Sequence, residues 1–390
     1  MNGALSWPFL RLYALVLLYF SANAILNVVI PLKGNSLGAT NTTIGIIMGA
    51  YLFTTMFFRP WAGYIIHKYG PVKVLRVILL INAAALILYT FTGLGGYFTA
   101  RILQGVCTAF FSMSLQIAII DALPQENRSQ GISLYSLCSY IPGILGPLLA
   151  IGIWQEEDGT YFAVVMVAIA LLTGLVGYGS TINSHNEVKK AEPPLGMNNS
   201  FSQLFKNRYL FRCSIIMLVS SMVFGAVTTF VPLYAEQVKN GHAGIYLMVQ
   251  AATVVAARFT LMKKIPSDGK WHSFYMMGTL LMLTLAAQSI SFANVGGAFF
   301  FYTAAVLMGV AQAIIYPTLT TYLTFVLPVN NRNTLLGLFI ATADLGVSLG
   351  SVVMGPIADA LSYSLMYTIC AVFGILMVVF AYGKQKHFVS

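Results

Sequence analysis

The sequence predicts an all-α integral membrane protein of twelve transmembrane helices, arranged as two six-helix halves. Three observations carry that prediction. Apolar runs of about 20 residues recur along the whole chain, each long enough to cross a hydrocarbon core of about 30 Å. Charge is sparse: 8% of the 390 residues are charged and 58% are hydrophobic, where a soluble chain carries about a quarter charged residues. Short stretches of the first half also recur in the second at a near-constant offset. In lipid a backbone amide has no water to bond to, so runs of this length mean helices; barrel strands would alternate over about ten residues.

The first six spans are read at 9–31, 42–66, 74–93, 97–121, 131–154 and 161–181. The first is too long for a signal peptide, lacks a clear small-residue cleavage site and is followed by eleven more. Between the second and third, Gly70-Pro71 supplies the residue types of a tight turn. The longest polar stretch follows the sixth span, and 182–208 reads as a linker between halves at 1–181 and 209–390. Its last part, "FSQLFKNRYLFR", suits a short amphipathic helix on the membrane surface. The second six spans are read at 209–235, 243–263, 272–292, 297–325, 334–358 and 364–383. Trp7, Trp61, Trp154 and Trp271 all fall near predicted span ends, as an aromatic belt requires. Cys107, Cys138, Cys213 and Cys370 have no metal-ligand spacing and read as buried free thiols.

The net charge of +10 does not point to nucleic acid, because its distribution follows the loops. One set holds Lys68, Lys73, Arg76, Arg128, Lys189, Lys190, Lys206, Arg208, Lys263, Lys264, Lys270, Arg332, Lys384 and Lys386. The opposite set holds Lys33, Lys239 and the acidic run Glu156, Glu157, Asp158. This bias predicts a multi-pass plasma-membrane protein with both termini in the cytoplasm.

The repeat is specific. "LPQENR" closes span 4 and "LPVNNR" closes span 10, 204 residues later; Gly105 and Gly309 share that offset. Arg59 precedes Gly70 by eleven residues, and Arg258 precedes Gly269 by eleven, at an offset of 199. Parallel duplicated halves are a transporter plan.

The motifs then resemble a known family. Over the stretch of the loop 2–3 signature G-x-L-A-D-R-x-G-R-K-x-x-L of the major facilitator superfamily, this chain reads Gly63, Ile65, Ile66, His67, Lys68, Gly70, Lys73 and Leu75. "RILQG", Arg101 to Gly105, looks like its R-x-x-Q-G motif. Gly146-Pro147 is a remnant of the antiporter motif G-P-x-x-G-G, with Ala150 and Ile151 where glycines are expected. The whole chain resembles the twelve-helix drug–proton antiporter branch. "SANAILNVVIPLKGNSLGATNTTIG" and "QGVCTAFFSMSLQIAIIDALP" look like the staphylopine exporters, which secrete an opine-type metallophore. The resemblance implies a secondary, proton-coupled exporter working by alternating access, with no enzyme activity, cofactor or bound metal, acting as a monomer. In the family a loop aspartate latches one conformation; here that position is His67. The latch is then weakened or rebuilt, with Asp121 as the candidate acid. His67 is either a solvated loop residue or a group that titrates and gates.

Arg59 and Arg258 lie far along their spans and read as snorkelling or structural cations with a gating role; Arg59 has Asp121 as a candidate partner. Asp344 sits about ten residues into span 11, near the midplane at 1.5 Å per residue. A charge there costs about 2.5–3.5 kcal/mol. A carboxyl group in such surroundings favours its protonated form, which makes Asp344 the proton-carrier candidate; the alternative is a packing carboxyl bonded to a serine or the backbone. Arg101 stays charged in any environment and suits a substrate carboxylate, or else bonds neighbouring helices. Asn23, Asn27, Tyr51, Gln104, Gln116, Gln250, Gln312 and Tyr316 are the neutral candidates to line a substrate site, each with interhelical bonding as its alternative.

Multidrug members of the branch often carry an acid in span 1, where this chain has asparagines. With Arg59, Arg101 and Arg258 embedded, the interior is net positive and favours an anionic or zwitterionic cargo, a polycarboxylate metallophore above all. A multidrug exporter of hydrophobic or cationic compounds is the alternative. No phosphate-binding G-x-x-x-x-G-K-[ST] loop supports a primary pump. A membrane-embedded enzyme would need paired intramembrane carboxylates or clustered histidines. The five histidines all fall in loops or at span ends.

Overall fold

Because lipid offers the backbone no partners, the chain satisfies its amides within helices. A computed structural model describes residues 5–124, 127–155, 159–179, 206–261, 264–328 and 332–382. The first six helices are α1 (Trp7–Ser36), α2 (Asn41–Tyr69), α3 (Pro71–Phe91), α4 (Leu94–Ala122), α5 (Arg128–Gln155) and α6 (Thr160–Tyr178). After them come α7 (Arg208–Tyr234) and α8 (Ala243–Leu261). A 54-residue helical stretch, Ser273–Val326, follows. At 1.5 Å per residue it would be about 80 Å long, more than twice a bilayer core. It is broken at Gly297 (φ 66°, ψ −156°), a backbone state open mainly to glycine. Its limbs are α9 (273–296) and α10 (298–326), and α11 (Arg332–Ala360) and α12 (Tyr363–Tyr382) complete the chain. Among the described residues twelve long helices result, the number of spans predicted.

The helix ends differ from expectation in one instructive way. Span 1 was expected to stop at Pro31, yet α1 runs through it to Ser36. Proline removes one backbone donor, and neighbouring helices make that tolerable in a membrane. Prolines also lie inside α2, α5, α7, α10 and α11. Real turns fall where glycine takes positive φ: Gly70 at 84° and Gly269 at 71°. These are the two glycines of the repeat.

The chain forms two compact units, Met1–Leu37 with Ile46–Pro194 and Gly38–Gly45 with Leu195–Ser390. In the first unit Val16 and Tyr19 of α1, Ile78 and Leu79 of α3, and Phe111 and Leu115 of α4 form the core. The Tyr19 and Phe111 rings stack at 3.7 Å and 11°. In the second unit the first turn of α2 is capped from α11. Asp359 accepts from the Asn41 and Thr42 amides at 2.9 and 2.8 Å and from the Thr42 hydroxyl at 2.6 Å. The expected linker lies, up to residue 205, outside the described residues. So do Lys189, Lys190, Lys263, Lys384, Lys386 and the run from Glu156 to Asp158.

Candidate substrate site

Helix α4 carries Arg101, Gln104 and Thr108 at spacings of three and four, so the three share one face. All are buried, and Arg101 is 0% exposed. Asn23 and Asn27 face it from α1, one turn apart. Arg101 Nη1 donates to Asn23 Oδ1 at 2.8 Å and Nη2 donates to Asn27 Oδ1 at 2.9 Å. A guanidinium only donates, so both amides must turn their oxygens toward it. From α2, Met48 Sδ lies 3.3 Å from Nη2 and the Tyr51 ring centre lies 5.2 Å from Cζ. The ring adds cation–π attraction. Every one of these partners is neutral. No carboxylate touches the guanidinium among the described residues, and its Nε is buried without a hydrogen-bond partner.

A buried ion without a countercharge is costly, and neutral dipoles repay only part of that cost. The arrangement therefore has residual demand for an anion, with one donor already unsatisfied. Its surroundings are built for rigidity. Tyr89 of α3 donates to Gln104 Oε1 at 2.7 Å. The hydroxyls of Tyr51 and Tyr19 each lie 2.9 Å from Thr108 Oγ1.

Within the second unit, Gln250 Nε2 of α8 donates to Gln312 Oε1 of α10 at 3.1 Å, leaving Gln250 Oε1 buried and unpartnered. Tyr316, one turn beyond Gln312, stacks on Phe339 at 5.9 Å and 26°. Asp344 is partly buried near the middle of α11.

The sequence-predicted residues thus fall into groups. Asn23, Asn27, Tyr51 and Arg101 meet in one cluster, Gln104 lies on the Arg101 face of α4 and accepts from Tyr89, and Gln250 meets Gln312. Arg59 and His67 lie toward the end of α2, Asp121 in the last turn of α4 and Arg258 in the last turn of α8. Two expectations need correction. His67 is not a solvated loop residue, because α2 continues to Tyr69 and its Nε2 is buried without a partner. No hydrogen bond or ion pair joins Arg59 to Asp121 among the described residues. Met48, Tyr19, Tyr89 and Thr108 escaped the sequence reading. Of these only Thr108 left a signal, its place seven residues after Arg101 on the same helix face.

The second-unit turn holds a local hydrogen-bonded pair. His272 Nε2 lies 2.9 Å from Asp268 Oδ1, and the Lys270 amide donates to the same carboxylate oxygen at 3.0 Å. The Lys270 amide, then His272, hold the Asp268 carboxyl below the usual carboxylate range.

Comparison with known proteins agrees with this architecture. The staphylopine export protein of Staphylococcus aureus (strain Mu50) is 56% identical over 390 residues, covering 99% of this chain and 98% of that one. A crystal structure of a variant of the nucleoside transporter NupG superposes with a TM-score of 0.80 at 15% identity, covering 95% of this chain and 98% of the other. A bacterial homologue of the human lysosomal transporter Spinster gives 0.76 at 15% identity, covering 96% of each chain. At such identity the two structures speak to the fold alone. The Major Facilitator Superfamily profile matches residues 12–265 and 269–388, and with a full-length relative at 56% identity the chain belongs to that family.

Proposed function

We propose that this protein exports a small anionic or zwitterionic metallophore of the staphylopine type across the cell membrane, in exchange for protons. One observation carries the reading. A fully buried arginine is held by neutral partners only, with an unsatisfied donor. The named function of the 56% identical relative supports the same cargo class. A carboxylate of the cargo supplies the missing charge to Arg101, while Asn23, Asn27 and Tyr51 fix the guanidinium and Gln104 lines the cargo site. Gln250, Gln312 and Tyr316 offer neutral polar contacts in the second unit. Asp344 carries the proton, and Arg59, His67, Asp121 and Arg258 take part in gating. Both termini lie in the cytoplasm, and the protein works as a monomer without cofactor or bound metal. Transport proceeds by exposing the site to one face of the membrane and then to the other.

Thermal shift on detergent-purified protein tests the cargo class, because a ligand of the native state raises its melting temperature by mass action. Staphylopine is expected to stabilise and lipophilic cations are not. Stabilisation by the cations alone overturns the anion reading and returns the protein to a multidrug role. For the proton, Asp344→Asn in proteoliposomes should abolish transport driven by a pH gradient while cargo binding persists; unchanged pH-driven flux removes Asp344 from the coupling.

A further inference from the structure

We infer that Thr108 is the positioning residue of the Arg101 site, acting through Tyr51; this rests on the cargo reading above. Thr108 lies seven residues, about two turns, along α4 from Arg101 and does not touch the guanidinium. Its hydroxyl instead joins three helices. Tyr19 Oη of α1 and Tyr51 Oη of α2 both lie 2.9 Å from Thr108 Oγ1. All three side chains are buried, at 3%, 7% and 6% exposure for Tyr19, Tyr51 and Thr108. Water is therefore a poor replacement for any of these bonds. Tyr19 is itself fixed by its stack on Phe111, so the relay is anchored at its far end.

The consequence falls on the Tyr51 ring. A tyrosine ring swings about two torsions, and its face attracts a guanidinium only when presented to it. Tethering the hydroxyl removes that freedom and keeps the ring centre 5.2 Å from Arg101 Cζ. The guanidinium is thereby held against Asn23 and Asn27, with Nε left over for the cargo. A threonine suits the position because one small hydroxyl can accept from one tyrosine and donate to the other.

The duplicated half supports the idea that this link is a designed element of the unit. The offsets of 199 and 204 that relate Arg59 to Arg258 and Gly105 to Gly309 carry Tyr51 onto Gln250 and Thr108 onto Gln312. Those two residues are also hydrogen-bonded to each other. The cross-helix bond is kept in both units, whereas the aromatic ring and the third partner, Tyr19, occur only where there is an arginine to hold.

The test compares staphylopine affinity, by isothermal titration, with melting temperature in the purified protein. Thr108→Val keeps the shape and removes the hydroxyl; Thr108→Ser keeps the hydroxyl. The expected result is about fivefold weaker binding for Thr108→Val, as loss of a buried hydrogen bond gives, with affinity regained in Thr108→Ser. Tyr51→Phe should weaken binding to the same degree, and the Thr108→Val/Tyr51→Phe double variant should be no weaker than either. A lowered melting temperature with unchanged affinity in Thr108→Val makes the residue a helix tie only and overturns the inference. If Thr108→Val does not fold, Tyr51→Phe decides it, unchanged affinity again overturning it. Arg101→Ala run alongside separates the two readings. Wild-type affinity there sinks the cargo site itself, whereas lost affinity there with intact binding in Thr108→Val sinks only the role of Thr108.

Discussion

The two units build one backbone plan and fill it with different chemistry. In the first, Gly105 on α4 lies against the Tyr51 carbonyl and Thr54 of α2; in the second, Gly309 on α10 lies against the Gln250 carbonyl and Thr253 of α8. Gly146 of α5 rests on Ala24 of α1, and Gly350 of α11 rests on Met222 of α7. These contacts set corresponding positions side by side. Arg101 corresponds to Ala305, Asn23 to Ser221, Asn27 to Gly225, Tyr51 to Gln250 and Thr108 to Gln312. The second unit has thus kept the close glycine contacts and the cross-helix bond but has no cation where Arg101 stands and no amides where Asn23 and Asn27 stand. Packing tolerates little change where backbones touch, while side chains that face the site are free to diverge. The difference teaches that helix contacts and buried polar chemistry are written at different positions of the same helices.

The harshest way to break the comparison is to give the second unit the first unit's charge. Ala305 is 0% exposed, and Ala305→Arg adds a cation without its asparagines. A charge at membrane depth costs about 2.5–3.5 kcal/mol before any steric penalty. Loss of the monodisperse, folded species by size-exclusion chromatography is expected. Removing the charge from the first unit should act on binding instead. Arg101→Met should weaken staphylopine binding by about 1.5–3 kcal/mol, the worth of a charge-assisted hydrogen bond. Its melting temperature should hold or rise, because an uncompensated buried ion is replaced by an apolar chain of similar length. A large fall in melting temperature with unchanged affinity would make Arg101 structural.

Gly105→Ala and Gly309→Ala sharpen the shared part. At Gly309 the added methyl would meet the Gln250 carbonyl oxygen at 2.6 Å, and the Gly105 methyl meets the Tyr51 carbonyl at least as closely. Each should destabilise by about 1–3 kcal/mol, as overpacking does, with similar drops in melting temperature; a loss in only one would deny that the contacts are equivalent. The smallest effect lies in the turns. Tyr69 stands before Gly70 where Asp268 stands before Gly269. The Asp268 carboxyl is held below its usual range in the fold, so its contribution is present above the unfolded value, near pH 4, and is lost as pH falls further. The acid limb of the stability curve should flatten slightly in Asp268→Asn, and no change at neutral pH is expected.

Much of this was legible in the sequence, and the residues show why. Apolar runs dictate spans in a membrane, so all twelve were readable, including the two that meet at Gly297. The end of α1 was not, since Pro31 reads as a stop by rules drawn from water-soluble helices. Arg101 was conspicuous because an isolated cation inside an apolar run is expensive, and Asn23 and Asn27 were conspicuous by their one-turn spacing. Thr108, Tyr89 and Met48 are unremarkable residues for a membrane helix, and only tertiary placement gives them roles. His67 was misplaced because a cluster of cations before Gly70-Pro71 looks like a loop, although the turn begins only at the glycine.

The solitary charge of Arg101 also has an electrical consequence. An elementary charge moved through the membrane potential does work of about 2.3 kcal/mol per 100 mV. On the exchange reading proposed above, a cargo carboxylate neutralises Arg101 on the outward step, whereas on the return the proton neutralises Asp344 and leaves the Arg101 cation without its partner. The membrane potential would then act on the Arg101 charge during the return rather than during the passage of the cargo.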